Sequence, residues 1–285
     1  MDDVLGGLIN STNADRYDRL VQSCLATGAH CVIEIHNFAR WNGKVIGQSP
    51  PDGPTDDHFV SLWTQLATKY AGSDRVVFEL MNEPHDLDVA VWAATCQKAV
   101  TAIRNAGATS QTILLPGTGF SSAAELVPSG SGDALAAVRN PDGSTDNLLL
   151  ALHKYLDVDN SGTHAECTTN NTAAFADAAA FLRRVGRRAM VTETGAAQGN
   201  ALCMMRFCEQ NAFINANPDV FAGLLSWAAG GFDESYLLAQ TPSWEGGRYI
   251  DTPLLSQCVV GTWMTSTAGG ELNFFFQNGS VESLG

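Results

Sequence analysis

Short apolar runs alternate with amphipathic stretches along most of this chain. Six runs have the length and composition of buried strands, at residues 31–37, 75–84, 112–117, 148–155, 189–195 and 221–227. Helical patterns lie between them, at 15–28, 56–72, 89–107, 173–185 and 201–216. Strands that are almost wholly apolar and alternate with helices are typical of a parallel sheet covered on both faces. The pattern therefore predicts an α/β protein with about six βα units.

Polar or aromatic side chains stand at the end of nearly every predicted strand. They are His36, Asn37, Asn82, Glu83, His153, Tyr155, Glu193 and Trp227. Barrel enzymes carry their chemistry at the carboxyl ends of the strands. The chain has no Gly-x-Gly-x-x-Gly turn and no phosphate-binding loop, which disfavours a doubly wound nucleotide-binding sheet. We therefore predict a TIM-barrel-like parallel βα barrel. It is expected to be incomplete, because a closed barrel has eight units and no strand is readable before residue 31.

Glu83 and Glu193 are the candidate catalytic pair. Each ends an apolar strand, and convergent strand ends can bring two carboxylates to the spacing of about 5–5.5 Å that retaining glycosidases use. His36, His153 and Tyr155 are placed to bind substrate hydroxyls or to donate hydrogen bonds to Glu193. Histidine and glutamate also bind metals, but no His-x-x-x-His or Glu-x-x-His spacing occurs, so no metal and no cofactor are expected. The stretch SGSGD at 129–133 does not lie at a strand-to-helix turn, so a serine hydrolase is not favoured.

Aromatic residues cluster close to the strand ends in sequence. They are Phe38, Trp41, Trp227, Phe232 and Trp244. Such faces can stack on sugar rings, although core packing explains any one of them equally well. Trp227 is the strongest candidate, because it ends a strand and precedes a flexible Ala-Ala-Gly-Gly stretch.

Charge and cysteine content limit the classes of binding partner and the cellular compartment that the sequence favours. The formal net charge is −14 and the isoelectric point is about 4.6, which disfavours nucleic acid and anionic membranes as partners. No apolar run reaches the roughly 18 residues of a membrane span. The N-terminus does not resemble a secretory signal, but the seven cysteines lack zinc or redox spacing and favour disulfides with one thiol left over. Glycosylation candidates are Asn10, Asn170 and Asn278. These features indicate a secreted protein.

Five stretches together resemble the fungal endoglucanases of glycoside hydrolase family 5. They are "IEIHNFARWNGKVIGQ", "VVFELMNEPHD", "LALHKYLDVDNSGTHAECTTNN", "VTETG" and "SWAAGGFDESY", in that order along the chain, and the similarity covers residues 5 to 260 approximately. The resemblance implies a retaining endo-β-1,4-glucanase that hydrolyses cellulose and related β-glucans. It implies Glu83 as acid/base and Glu193 as nucleophile. Asn82 would bind the sugar 2-hydroxyl, Trp227 would lie under the sugar, and His36, His153 and Tyr155 would complete the polar shell.

The resemblance also implies features away from the catalytic pair. It pairs the cysteines as Cys24–Cys31, Cys167–Cys203 and Cys208–Cys258, which leaves Cys96 free. Family members carry two further strands before this region, the second ending in an arginine that supports the nucleophile, and Arg40 is not expected to replace it. We therefore expect a catalytic domain over 1–260 that is truncated at its N-terminus, and a tail over 261–285. The tail or a second copy of the chain, forming a homodimer, would cover the open barrel edge.

Two alternatives to a β-1,4-glucanase stay open from the sequence. One is a weakly active or inactive carbohydrate-binding variant that keeps the aromatic groove. The other keeps the chemistry but acts on β-mannan or mixed-linkage β-glucan.

Overall fold

Six parallel strands form the central sheet of the protein. The structure is a computed structural model, and it describes residues 5–233 and 235–260. The strands are β1 Cys31–Glu34, β2 Arg40–Trp41, β3 Lys44–Val45, β4 Val76–Glu79, β5 Ile113–Pro116, β6 Leu148–His153, β7 Ala189–Thr194, β8 Phe221–Ser226, β9 Ser243–Glu245 and β10 Arg248–Ile250. The helices are α1 Ser11–Ala26, α2 Asp56–Tyr70, α3 Val89–Asn105, α4 Ser131–Ala136, α5 Thr172–Val185 and α6 Ala201–Asn215, followed by a π-helical turn at Leu255–Val260.

The sheet runs in the order β1-β4-β5-β6-β7-β8, and each neighbouring pair is parallel. It curls into part of a barrel, with β1 and β8 at its two edges within the described part of the chain. All six predicted strands are present, so the prediction of an incomplete TIM-barrel-like βα fold with about six units is confirmed. The short strands form two separate antiparallel hairpins, β2–β3 and β9–β10.

The two faces of the sheet have different surroundings. Val76 and Phe78 of β4 belong to the large core between the sheet and the helices, whereas Val77 belongs to a small apolar cluster on the inner face. This cluster also contains Leu114 and Met190 from β5 and β7. Because side chains alternate along a strand, Glu79 lies on the same inner face as Val77. The inner face therefore changes from apolar to polar toward the carboxyl ends of the strands.

Local sequence sets the helix boundaries. Asn10, Thr55 and Asp88 each accept a hydrogen bond from the first turn of the helix that follows, which satisfies backbone donors that have no partner in the helix. In the helix that follows Thr55, His58 bonds back to the Thr55 amide and completes a capping box. Gly186 ends α5 in the left-handed conformation, with φ of 64°. None of the helices in the described residues is long and apolar enough to cross a membrane.

Two of the three expected disulfides are present. Cys167 is bonded to Cys203, and Cys208 is bonded to Cys258. Both bonds end on α6, so this helix is tied to the segment after β6 and to the last described turn. Cys96 is a buried free cysteine inside α3, as expected.

The prediction of a Cys24–Cys31 disulfide is wrong, because both residues are free thiols in the structure. The thiol of Cys24 donates to the carbonyl oxygen of His30 at 3.5 Å. Burial, helped by the adjacent Cys24, raises the pKa of Cys31 to about 12. Cys24 therefore hydrogen-bonds a backbone carbonyl instead of forming a bridge to Cys31.

Several sequence predictions fall partly or wholly outside the described residues. The tail 261–285 and the sequon at Asn278 lie there. The sequons at Asn10 and Asn170 lie within the part of the chain that the structure describes. Asn10 caps α1, and Asn170 Nδ2 donates to Glu209 at 2.9 Å. Glycan attachment at either position stays a prediction.

Candidate active site

Glu83 is placed by a turn in the chain just beyond β4. The Asn82 amide still donates to the Ile35 carbonyl at 3.0 Å, so the strand direction is kept to that point. Glu83 then takes a positive φ of 43°, and Pro84 follows it. A non-glycine residue in this region carries a cost of about 1–3 kcal/mol and persists only where its surroundings hold it. The turn directs the carboxylate of Glu83 towards the ends of the neighbouring strands.

Glu193 lies near the end of β7, and its side chain is only 12% exposed. The hydroxyl of Tyr155 donates to its Oε1 at 2.7 Å. Burial raises the pKa of Glu193 above the usual glutamate value of 4.5, and the charge of His153 and the Tyr155 hydrogen bond oppose that rise. The carboxylate of Glu193 is therefore poorly solvated, and the Tyr155 hydroxyl is its hydrogen-bond donor.

His153 connects the two carboxylates. Its Nδ1 lies 2.9 Å from Glu83 Oε1 and 3.9 Å from Glu193 Oε1. Its side chain is 2% exposed. Burial alone would lower its pKa, but the surrounding carboxylates outweigh burial and raise the pKa of His153 to about 10. The carboxylates around the ring therefore favour its protonated form.

The carboxylates of Glu83 and Glu193 lie close together. One oxygen of each, together with a ring nitrogen of His153, falls within a mutual distance of 4.8 Å. Such a set could bind a metal in principle. However, His153 Nδ1 contacts Glu83, and its Nε2 contacts Thr192 Oγ1 at 3.1 Å. Both ring nitrogens are thus engaged within the protein, whereas a metal ligand needs a free lone pair on a neutral ring.

His36 and Asn82 lie beside the carboxylate pair. The Nδ2 of Asn82 is 3.3 Å from Nε2 of His36, and Nδ1 of His36 is 2.8 Å from Glu34 Oε1. The hydrogen bond to Glu34 raises the pKa of His36, and burial opposes the rise. The contact with His36 orients the side-chain amide of Asn82, the residue that precedes Glu83 in the chain.

An aromatic row runs past the carboxylates. Trp227 stacks on His36, with ring centroids 5.9 Å apart and an interplanar angle of 22°, and its indole nitrogen donates to the Tyr236 hydroxyl at 2.9 Å. The Trp227–Ala228 peptide bond is cis. Phe232 contacts Trp227 on one side, and the row continues beyond His36 through Phe38, His85 and Phe120. Phe120 is 44% exposed, so part of this row is accessible to a ligand.

No hydrogen bond or ion pair in the described part of the chain joins Asn37 or Trp41 to Glu83 or Glu193. Both line a separate cavity of about 90 Å³, together with apolar residues of the N-terminal segment and α2. Phe38 and Ala39 have positive φ values of 60° and 58°, so the chain turns sharply between the two predicted residues. The prediction that Asn37 and Trp41 bind substrate thus gains no support from a contact among the described residues.

Arg40 has a structural task in this loop. Its guanidinium donates to the carbonyl oxygens of Phe38 and His85, each at 2.8 Å. This agrees with the expectation that Arg40 does not support the nucleophile. The cationic contact of Glu193 in the described structure is His153.

Sequence reasoning missed Glu79 and Thr192. Glu79 is 4% exposed on β4, and Thr192 donates to it at 2.7 Å. A signal was available, since a glutamate in the middle of the apolar run "VVFELM" is unusual for a buried strand. His85 and Phe120, which extend the aromatic row, were also missed, because they lie in loops without a periodic pattern.

Comparison with known proteins gives consistent matches. The family model described as cellulase (glycosyl hydrolase family 5) matches residues 1–231. Endoglucanase EG-II of Hypocrea jecorina is 53% identical over 257 residues, which is 90% of this chain and 60% of that protein. This chain thus spans about three fifths of the length of that relative.

Solved structures show the same relationship. The crystal structure of Cel5A (EG2) from Hypocrea jecorina matches with a TM-score of 0.87 and 52% identity, over 90% of this chain and 77% of the other. The structure of XacCel5A in complex with cellopentaose matches with a TM-score of 0.80 and 28% identity, over 89% and 80% of the two chains.

Proposed function

Because the chain belongs to glycoside hydrolase family 5, we propose that it is a retaining endo-β-1,4-glucanase that hydrolyses cellulose and related β-glucans. The observation that carries the proposal is the carboxylate pair Glu83 and Glu193, with one oxygen of each within 4.8 Å of the other, just after β4 and near the end of β7. Retaining enzymes use a separation of about 5–5.5 Å, whereas inverting enzymes need about 6.5–9.5 Å to admit a water. The short distance favours direct attack by one carboxylate.

Glu193 is the nucleophile in this proposal. Its carboxylate attacks the anomeric carbon, and the bond from that carbon to the glycosidic oxygen breaks. The Tyr155 hydrogen bond engages Oε1 of Glu193, so we assign the attack to Oε2. Tyr155 also helps to keep the buried carboxylate ionised, since a donor to the charged form lowers the pKa.

Glu83 is the acid and then the base. Its proton goes to the glycosidic oxygen as the leaving sugar departs. In the second step Glu83 takes a proton from water, the water oxygen attacks the anomeric carbon, and the bond to Glu193 breaks. His153 Nδ1 lies 2.9 Å from Glu83 and stabilises the negative charge that appears there after the first proton transfer.

Substrate contacts are assigned to the groups around this pair. In this proposal Asn82 binds the sugar 2-hydroxyl, and the exposed part of Trp227 offers a face to the sugar ring. The relative solved with cellopentaose supports a β-1,4-glucan as ligand class. The runner-up substrates are β-mannan and mixed-linkage β-glucan, and initial rates on cellulose, mannan and lichenan measured side by side separate them.

We test the catalytic assignment with Glu193→Gln. The variant should release no reducing ends from carboxymethyl-cellulose and still bind cello-oligosaccharides, because the change removes the nucleophile but keeps the shape. Glu166→Gln is the matched control, since Glu166 is an exposed glutamate in the loop between β6 and α5, and it should keep full activity. A wild-type chain that binds cello-oligosaccharides but never releases reducing ends would favour the alternative of a carbohydrate-binding protein.

Location and assembly are further proposals. Two disulfides support an oxidising, extracellular location. Open strand edges invite association, so a homodimer along the edge of β1 or β8 is proposed, and sedimentation velocity at two concentrations tests it. The domain limits 1–260 and 261–285 stay predictions that limited proteolysis would test.

A further inference from the structure

Glu79 is a carboxylate on the inner face of the sheet that the proposed reaction does not use. It is 4% exposed, and it lies one pleat beyond Val77, in the layer between the apolar cluster and the site. A carboxylate at such a place is costly unless a donor or an opposite charge accompanies it. The partners of Glu79 therefore indicate what it does.

Glu79 faces His153 through a hydroxyl group. Thr192 Oγ1 is 2.7 Å from Glu79 Oε1 and 3.1 Å from His153 Nε2. The direct distance from Nε2 to Glu79 is 3.7 Å, which is too long for a hydrogen bond. A hydroxyl has one proton, and Thr192 donates it to Glu79. Its oxygen must therefore accept from the Nε2–H of His153, so Nε2 carries a proton.

The opposite nitrogen of His153 faces the catalytic pair. Nδ1 is 2.9 Å from Glu83 Oε1. If the ring were neutral with its proton on Nε2, Nδ1 would be a lone pair that accepts the proton of Glu83. The acid would then lose its proton to histidine instead of to the leaving sugar. A doubly protonated ring avoids this, because both nitrogens are donors.

We propose that Glu79 is a positioning residue that acts through His153: it keeps the ring doubly protonated and fixed by way of Thr192, so that Nδ1–H is always donated to Glu83. The catalytic consequence rests on the proposed function, but the protonation of His153 does not. Glu79 touches neither substrate nor reacting atoms, since it lies below them on β4.

The charges around His153 support this role. The titratable groups that face it are Glu79 on β4, Glu83 after β4, and Glu193 on β7. Burial lowers the pKa of His153, and Glu79 and Glu83, followed by Glu193, raise it to about 10. During the reaction Glu83 is neutral when protonated, and Glu193 is neutral once it is bonded to the sugar. Glu79 takes part in neither step, so its contact with Thr192 and His153 is the same throughout the cycle.

The direct experiment follows the side-chain nitrogens of His153 by ¹⁵N NMR from pH 5 to 9, in the full chain, with the signals assigned against His153→Gln. In the wild type both nitrogens should stay protonated across the range. In Glu79→Gln, which keeps the shape and removes the charge, the ring should titrate within it. A wild-type ring that titrates between pH 5 and 9 overturns the proposal, even if the variant does not fold. So does a Glu79→Gln ring that stays doubly protonated to pH 9.

Two further variants sharpen the NMR result. Glu34→Gln is the matched control, because Glu34 pairs in register with Glu79 on the adjacent strand but contacts His36, and it should leave the His153 signals unchanged. Glu79→Asp keeps the charge and should keep the ring doubly protonated. A Glu34→Gln ring that titrates like that of Glu79→Gln would overturn the assignment to Glu79.

The second readout is the pH profile of kcat/KM on a soluble chromogenic cello-oligosaccharide. The protons of His153, Glu83 and Glu193 titrate as a coupled group. Removing the nearby negative charge of Glu79 lowers the pH at which this group loses its first proton. The alkaline limb of Glu79→Gln should therefore move to lower pH, with kcat/KM down about 10- to 100-fold at pH 7 and KM little changed. A uniform loss without a shifted limb would mean a merely structural role. A chain without turnover would contradict the proposed function and leave the NMR result to decide the role of Glu79.

Discussion

The hydroxyl of Tyr155 donates a hydrogen bond of 2.7 Å to Oε1 of Glu193. This contact joins β7 to the loop that follows β6, and it gives a buried carboxylate its direct donor. Burial and hydrogen bonding act on Glu193 in opposite directions, and burial is the larger effect. The proposed nucleophile is therefore less solvated than an ordinary glutamate, and its direct donor favours the ionised form.

Replacing Tyr155 with phenylalanine should weaken this balance. Without the donor, the pKa of Glu193 rises further, and the acid limb of kcat/KM moves to higher pH. We expect kcat to fall by about 10- to 100-fold at the optimum, the usual cost of losing a group that orients a catalytic ligand or base. Initial rates from pH 4 to 8 on a soluble chromogenic substrate measure both effects. An unchanged acid limb in Tyr155→Phe would contradict the role given to the hydrogen bond.

The wild-type pH profile follows from the same shift. The nucleophile acts only when ionised, so activity falls as the pH decreases through the pKa of Glu193. That pKa is raised above the ordinary value of 4.5, so the midpoint of the acid limb should lie above pH 4.5. Glucanase assays in overlapping buffers at constant ionic strength would show it, and a midpoint at or below 4.5 would argue against a desolvated nucleophile.

Trp227 should contribute to binding more than to chemistry. Its indole is held between His36 and Phe232 and bonded to Tyr236, so its exposed face is rigid. Trp227→Ala removes that face, and we expect the dissociation constant for cellotetraose to rise on the order of 10-fold. Titration calorimetry with Glu193→Gln as the background measures binding without turnover. Trp227→Phe should lose less, and an unchanged affinity in the alanine variant would exclude Trp227 as a sugar platform.

The disulfide between Cys167 and Cys203 should stabilise the fold. The two residues are 36 positions apart, and the chain-entropy estimate for a loop of that length is about 4 kcal/mol. The double variant Cys167→Ser, Cys203→Ser should lower the free energy of unfolding by up to that amount, measured by urea denaturation. Cys24→Ser is the matched control, because Cys24 is an unbonded thiol, and it should change the free energy of unfolding by less than about 1 kcal/mol. Equal losses in the two variants would contradict a specific contribution from the disulfide.

The sequence predicts the strands well, because a buried parallel strand is a continuous apolar run. The run 148–155, for example, contains β6 at Leu148–His153. It does not predict α4 at Ser131–Ala136, which has six residues and no apolar periodicity. Hairpins of two- and three-residue strands, such as β2–β3, also leave no pattern that a window can detect.

The candidate site was partly predictable for a related reason. Strand-end residues such as Glu83 and Glu193 are found from sequence, because the end of a strand fixes where its side chain lies. Trp41 is assigned to the site only from proximity in sequence, and the sharp turn at Phe38 and Ala39 is not encoded by a pattern, so its role stays a prediction. The contact of Glu79 with His153 depends on three strands meeting, which local sequence does not encode.

Trapping the covalent intermediate tests the central claim most directly. A 2-deoxy-2-fluoro-cellobioside with a good leaving group should glycosylate the nucleophile. The fluorine slows hydrolysis of the covalent intermediate, so the intermediate accumulates. A nucleophile at Glu193 predicts that the intact mass of the protein rises by one 2-fluorocellobiosyl group, that the label maps to the peptide carrying Glu193, and that Glu193→Gln stays unlabelled. A label on another residue, or glucan hydrolysis by Glu193→Gln at the wild-type rate, would contradict it.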